Sequence, residues 1–211
     1  MLFTAKVVLR LRHALLVGDL AEAQLTLQAV RGRPVATVAM SEIRMAQDEV
    51  DNWILLQELT SALEAGRAGG TVGALVIDEV VATEGLDEAI KRAEERGVKT
   101  REAQALVLGA VQALKLRQAL LAGDWDRVEA VVRESAGVAG LAALAVEELA
   151  LASDELDNRR VVRLLEAALR TGGARGEPGE LDLSAVDTTG LDEALTTGTD
   201  LGCKTERAED L

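Results

Sequence analysis

Aromatics, cysteine, histidine and proline are almost missing from this chain of 211 residues: Phe3, Trp53 and Trp125 are the only aromatics, beside one cysteine, one histidine and two prolines. A single cysteine, Cys203, closes no internal disulfide, and His13 alone cannot complete a Cys/His set with zinc spacing. Without aromatics, the apolar residues are almost entirely Ala, Leu and Val, which favours closely spaced helices over a β-sandwich. Clustered positive charge is also missing. The formal net charge of −13 argues against nucleic acid and anionic membrane surfaces as partners. No apolar run approaches the roughly 18–20 residues of a membrane span, and Met1 to Arg10 lacks the basic start and cleavage site of a signal peptide. An intracellular, cytoplasmic protein is expected, and its 48% apolar content suffices for a packed core.

What the chain does have is internal repetition, which decides architecture before any local reading. Leu9-Arg-Leu-Arg-His-Ala-Leu-Leu-Val-Gly-Asp19 matches Leu114-Lys-Leu-Arg-Gln-Ala-Leu-Leu-Ala-Gly-Asp124 at an offset of 105, with eight of eleven positions identical. Glu49-Val-Asp-Asn52 matches Glu155-Leu-Asp-Asn158, and Ala62-Leu63 matches Ala168-Leu169, both at an offset of 106. The offset returns to 105 for Gly85-Leu-Asp-Glu-Ala-Ile90 against Gly190-Leu-Asp-Glu-Ala-Leu195, and for Gly97-Val-Lys-Thr100 against Gly202-Cys-Lys-Thr205. These collinear blocks define two copies, 1–113 and 114–211. The second copy stops where the first begins its next long helix, which points to a piece of a longer array.

Within one unit, residues 5–17 place Val8, Leu11, Leu15 and Leu16 at helical spacing, and Gly18-Asp19 ends that helix and caps the next, at about 20–30. Pro34 suits the first turn of a long helix over about 35–65, with Val38, Ile43, Val50, Ile54, Leu55, Leu59 and Leu63 as its apolar stripe; its equivalent spans about 139–170. In Ala65 to Gly85 the β-branched run Ala74-Leu-Val-Ile-Asp-Glu-Val-Val81 fits a short strand or an extended link, as does Leu181 to Val186 in the second copy. Helix is expected again over Leu86 to Arg96 and, after Thr100 as its cap, over about 101–121, so one helix is shared between the copies. The fold class expected is mainly α, a tandem helical repeat with short β segments in the glycine-rich links.

The run Ala14-Leu-Leu-Val-Gly-Asp-Leu-Ala-Glu-Ala23, followed by Leu27, resembles the hairpin of a tetratricopeptide repeat, in which Gly-Asp marks the turn and small residues let helices approach. The likeness covers about 25 residues of each copy, against a family period of about 34, and the family's aromatic positions and closing proline are absent. The whole unit resembles a divergent helical repeat of very large multi-repeat proteins of unicellular eukaryotes, on Gly85-Leu-Asp-Glu-Ala-Ile90, Gly97-Val-Lys-Thr100 and Leu116-Arg-Gln-Ala-Leu-Leu-Ala-Gly-Asp-Trp125. That resemblance implies an array architecture and no particular activity.

Chemistry is thinly supplied, so no catalytic residue, cofactor or metal is expected. Gly97-Val-Lys-Thr100 and Gly202-Cys-Lys-Thr205 lack the spacing of a phosphate loop and lie between helices, which suits a helix stop followed by a threonine cap. His13 aligns with Gln118 and has no catalytic company, and Cys203 aligns with Val98, which marks an apolar packing position. Asp87-Glu88 and Asp192-Glu193 suit the first turn of a helix, where the dipole favours acids. Asp51-Asn52 and Asp157-Asn158 interrupt a long apolar stripe in both copies, and a partner's backbone, a cation, solvent or a neighbouring helix would each explain them. Trp53 aligns with Arg159, so it is expected to be partly exposed and, with those two polar pairs, forms the candidate interface for protein partners. The leading expectation is a non-enzymatic interaction scaffold; the rival is an anion or nucleotide site where the glycine-rich links meet, with Lys99 and Lys204 as contacts.

Overall fold

The computed structural model describes residues 2–35, 37–77, 79–138, 141, 143–171, 173, 175–177, 180–182, 186, 188–202, 205 and 208–209. The fold is mainly α. In chain order it comprises α1 (Leu2–Val17), α2 (Leu20–Val30), a 3-10 turn (Thr37–Ala39) leading into α3 (Met40–Ala65), β1 (Gly69–Thr71), β2 (Ala74–Val76), α4 (Glu79–Arg96), α5 (Arg101–Ala122), α6 (Trp125–Ala136), α7 (Ala143–Thr171), β3 (Arg175–Glu177), β4 (Glu180–Asp182) and α8 (Thr189–Leu201). The strands form two separate antiparallel hairpins, with Thr71 opposite Ala74 and Glu177 opposite Glu180 across the turns.

The local signals explain the joints. Gly18 and Gly123 take φ of +74° and +66°, conformations open to glycine, and reverse the chain after α1 and α5. The next residue caps the following helix in each case: the Asp19 carboxylate accepts from the Glu22 amide at 2.9 Å, and Asp124 accepts from the Arg127 amide at 3.0 Å. Thr100 caps α5 by accepting from the Ala103 amide at 3.1 Å.

Several expectations give way to the structure. Pro34 stands outside any helix, since the chain passes through the 3-10 turn before α3 begins at Met40. The β-branched run of the first link splits: only Ala74–Val76 is strand, whereas Val80 and Val81 already belong to α4. Helix α4 therefore starts seven residues before Leu86, Gly85 lies inside it, and Asp87-Glu88 are not in its first turn; Asp87 instead receives Lys91 one turn later at 2.5 Å. That contact raises the Lys91 pKa through the hydrogen bond to Asp87. Asp192 does lie in the first turn of α8. In the second link, strand β4 covers Glu180–Asp182, and residues 183–185 of the expected strand lie outside the described residues.

Apolar packing follows the copies. Leu11, Ala14, Ala23, Leu27 and Val50 join α1, α2 and the first half of α3; Leu116, Val128 and Leu149 do the same for α5, α6 and α7. Leu55, Leu59, Leu63, Leu86 and Ile90 meet the small residues Ala103, Ala110 and Ala113 of α5, whose short side chains let α3 and α4 approach closely. Val161 and Leu165 of α7, Ala194 of α8 and Ala208 beyond it form the aligned cluster. Helix α5 passes through the boundary at 113/114, its first half in one cluster and its second half in the next. One 18-residue window of α5 reaches a mean hydropathy of 1.4, so by length and composition this helix also suits a membrane span, although no uninterrupted apolar run marks it.

Within this apolar interior sits a complete ion pair. Arg117 on α5 donates from Nε to Glu148 Oε1 and from Nη2 to Glu148 Oε2, both at 2.8 Å, and the two side chains are 0% and 1% exposed. Both groups also reach the preceding copy's backbone: Arg117 Nη2 donates to the Leu63 carbonyl at 2.7 Å, and the Ala68 amide donates to Glu148 Oε1 at 3.0 Å. Removing one partner strands a buried charge. Arg117→Ala is expected to cost about 3–5 kcal/mol, and the double change Arg117→Met with Glu148→Leu to recover much of that loss. Urea denaturation checks both, with Arg12→Ala, at the aligned but exposed position, leaving the midpoint near wild type.

Candidate functional site

The polar residues that recur in both copies converge on the long helices α3 and α7. Asn52 lies half-buried on α3 and accepts a hydrogen bond from the Thr100 hydroxyl at 3.2 Å. Asn158 is buried on α7 and accepts from the Thr205 hydroxyl at 2.9 Å. Each threonine in turn accepts from the amide three residues on, Ala103 at 3.1 Å and Ala208 at 3.3 Å. The asparagine, the threonine and the helix start thus form one relay, and the two recurring motifs are halves of a single joint.

The companion acids are placed differently. Asp51 is half-buried and accepts from Gln47 Nε2 at 2.8 Å, while Asp157 lines a groove between α6 and α7. Trp53 is half-buried on α3, consistent with the partial exposure expected for it. Lys99 forms an ion pair with Asp48 across the α3 surface. Cys203 and Lys204 lie outside the described residues, and His13 is exposed on α1. Among the described residues no group of three or more His, Cys, Asp or Glu side chains could hold a metal ion.

A second constellation was not singled out by the sequence. Glu155 is 2% exposed on α7, accepts from Arg159 Nε at 2.6 Å and from the Gly73 amide at the tip of the β1–β2 hairpin. The guanidinium of Arg159 lies 3.6 Å from the ring centroid of Trp125, a cation–π contact. Gly73 has a φ of +88°, a conformation that favours glycine, and a Cβ there would come within 2.9 Å of the Thr205 Cγ2 methyl, which would have to shift. The hairpin tip, α7 and Thr205 border a groove of 660 Å³ with Arg159, Arg163 and Glu166 on its wall. A neighbouring groove of 640 Å³ between α6 and α7 presents Trp125, Val132, Leu156 and Leu164 within a rim that includes Asp126, Glu129, Arg133, Asp157 and Arg160.

The signal for this constellation was present in the alignment of the copies. Trp125 and Arg159 align with Leu20 and Trp53, so the same two positions hold Leu and Trp in one copy and Trp and Arg in the other. Comparison with protein-family models, curated proteins and solved structures found no match.

Two substitutions test these contacts. Thr100→Val removes the acceptor for the Ala103 amide and the donor to Asn52 and is expected to cost about 1–2 kcal/mol by chemical denaturation. In a Trp53→Phe background, Arg159→Ala uncovers the Trp125 ring and is expected to shift its fluorescence emission to longer wavelength, whereas Arg160→Ala leaves it in place.

Proposed function

We propose that this chain is a non-enzymatic, cytoplasmic helical scaffold whose surfaces engage other proteins. The observation that carries the reading is the fate of the recurring polar residues. Asn52 with Thr100, and Asn158 with Thr205, bind one another and start the next helix. Side chains that would be candidates for chemistry are spent on holding helices in register. The resemblance to repeats of large multi-repeat proteins supports an array role, since stacked helical units form extended surfaces for partners. The groove between α6 and α7, with Trp125 and Leu156 at its floor, is the surface best suited to such contact.

The rival reading, an anion site at the glycine-rich links, has less support. Lys99 is already neutralised by Asp48, and the Gly73 amide, which would greet an anion, faces the Glu155 carboxylate. Thermal denaturation in the presence of inorganic phosphate, ATP, Mg2+ or Ca2+ separates the two. The scaffold reading expects an unchanged melting temperature with each. A saturable rise that disappears in Lys99→Ala would replace it with ligand binding.

A further inference from the structure

The groove between α6 and α7 is a feature of the repeated unit and not of its surroundings. Val132, Leu156 and Arg160 line its 640 Å³, and the aligned Leu27, Val50 and Ile54 line a groove of 630 Å³ between α2 and α3. The groove of the first copy stays open with the second copy following it, and that of the second stays open with the first preceding it. Stacking of copies therefore covers neither.

The two grooves differ in charge. Where α3 carries Trp53, Ile54 and Gln57, helix α7 carries Arg159, Arg160 and Arg163, all exposed along the wall of the second groove. Arg159 is held in place from the interior. Its Nε donates at 2.6 Å to Glu155, whose carboxylate is 2% exposed and also accepts from the Gly73 amide, and its guanidinium lies over the Trp125 ring. The two terminal nitrogens of Arg159 have no partner among the described residues, and neither has the guanidinium of Arg160 or of Arg163. The neighbouring arginines are already matched, Arg133 by Glu129 at 2.5 Å and Arg170 by Glu166 at 3.1 Å. Asp126 and Asp157 are the remaining acids of the groove. In a chain of net charge −13, this wall thus gathers more guanidinium groups than its own acids satisfy.

We infer that the α6–α7 groove docks an acidic segment of a partner protein, whose carboxylates pair with Arg159, Arg160 and Arg163 while a leucine-sized side chain enters between Val132, Leu156 and Leu164. A guanidinium fork matches a carboxylate in two-pronged geometry, and a fork fixed in advance, as Arg159 is, loses less freedom on binding. The first copy has neutral side chains at the three aligned positions, so the site belongs to the second copy alone. The inference rests on the scaffold reading and deepens it by stating the chemistry of the partner.

Fluorescence anisotropy tests it with a fluorescein-labelled peptide of three Glu-Glu-Leu-Glu repeats, beside a neutral peptide with glutamine for every glutamate. Wild type is expected to bind the acidic peptide saturably and about tenfold or more tightly than the neutral one, as charge-assisted hydrogen bonds imply. Arg160→Gln with Arg163→Gln is expected to weaken acidic-peptide binding by a similar factor. Circular dichroism and melting temperature should match wild type, since neither guanidinium holds another side chain. Lys6→Gln with Arg127→Gln removes the same charge from exposed positions elsewhere and is expected to leave the affinity at the wild-type value. Absence of saturable binding, equal affinity for the two peptides, or equal weakening in both double variants overturns the inference. Tighter binding of a labelled oligothymidylate also overturns it, making the arginines a nucleic-acid contact. The first three outcomes leave the scaffold reading in place, which falls to ligand stabilisation in the thermal experiment.

Discussion

The buried pair of Arg117 and Glu148 is the constraint on which the arrangement of the two copies depends. Two opposite charges removed from water are tolerable only when their remaining hydrogen-bonding capacity is met in good geometry. Here part of that capacity is met by the Leu63 carbonyl and the Ala68 amide, where α3 ends and the chain enters the first hairpin. The end of α3, the start of the hairpin and the first turns of α7 are therefore positioned together. Shifting α3 along its axis would remove a carbonyl from a guanidinium that is 0% exposed to solvent. The apolar contacts of Leu59, Leu63 and Leu86 with α5 supply attraction at the same joint.

The same two residue types at the aligned positions behave differently. Arg12 and Glu42 are bound to each other in solvent, with the Glu42 carboxyl held below the usual carboxylate range and the Arg12 guanidinium raised, each chiefly by their shared hydrogen bond. A carboxyl of lowered pKa contributes stability above its unfolded value and loses that contribution as pH falls through the folded one. Solvent screens the first pair, and the second is enclosed by the neighbouring copy. Position in the chain sets the energetic weight of an identical motif.

Much of this organisation was legible in the sequence and some was not, for identifiable reasons. Gly18-Asp19 and Gly123-Asp124 announced their turns because a left-handed glycine followed by a capping acid is a local device. Thr100 announced a helix start for the same reason. The partner of Asn52 was not readable, since 48 residues separate it from Thr100 and only the packing of α3 against α5 brings them together. Arg117 passed unnoticed inside a matched block because its burial depends on Leu63 and Ala68, which no local pattern connects to it. Helix α4 was expected too late because Val80 and Val81 favour strand by propensity, and helix took them nonetheless. Pro34 suited a first helical turn, yet the chain used it outside the helix.

The two hairpins differ sharply in sequence, Gly69-Gly-Thr-Val-Gly-Ala-Leu-Val76 against Arg175-Gly-Glu-Pro-Gly-Glu-Leu-Asp182. At the joint that can be seen in full, Arg117, Glu148 and Glu155 grip main-chain atoms of Leu63, Ala68 and Gly73. Recognition of that kind ignores most of the side chains that decorate the loop. Apart from the glycine at the tip, the hairpin is left free to drift under selection, acquiring charge or losing it, while the joint it belongs to goes on fitting. A chain assembled this way can diversify its outward face copy by copy without renegotiating how its copies stack.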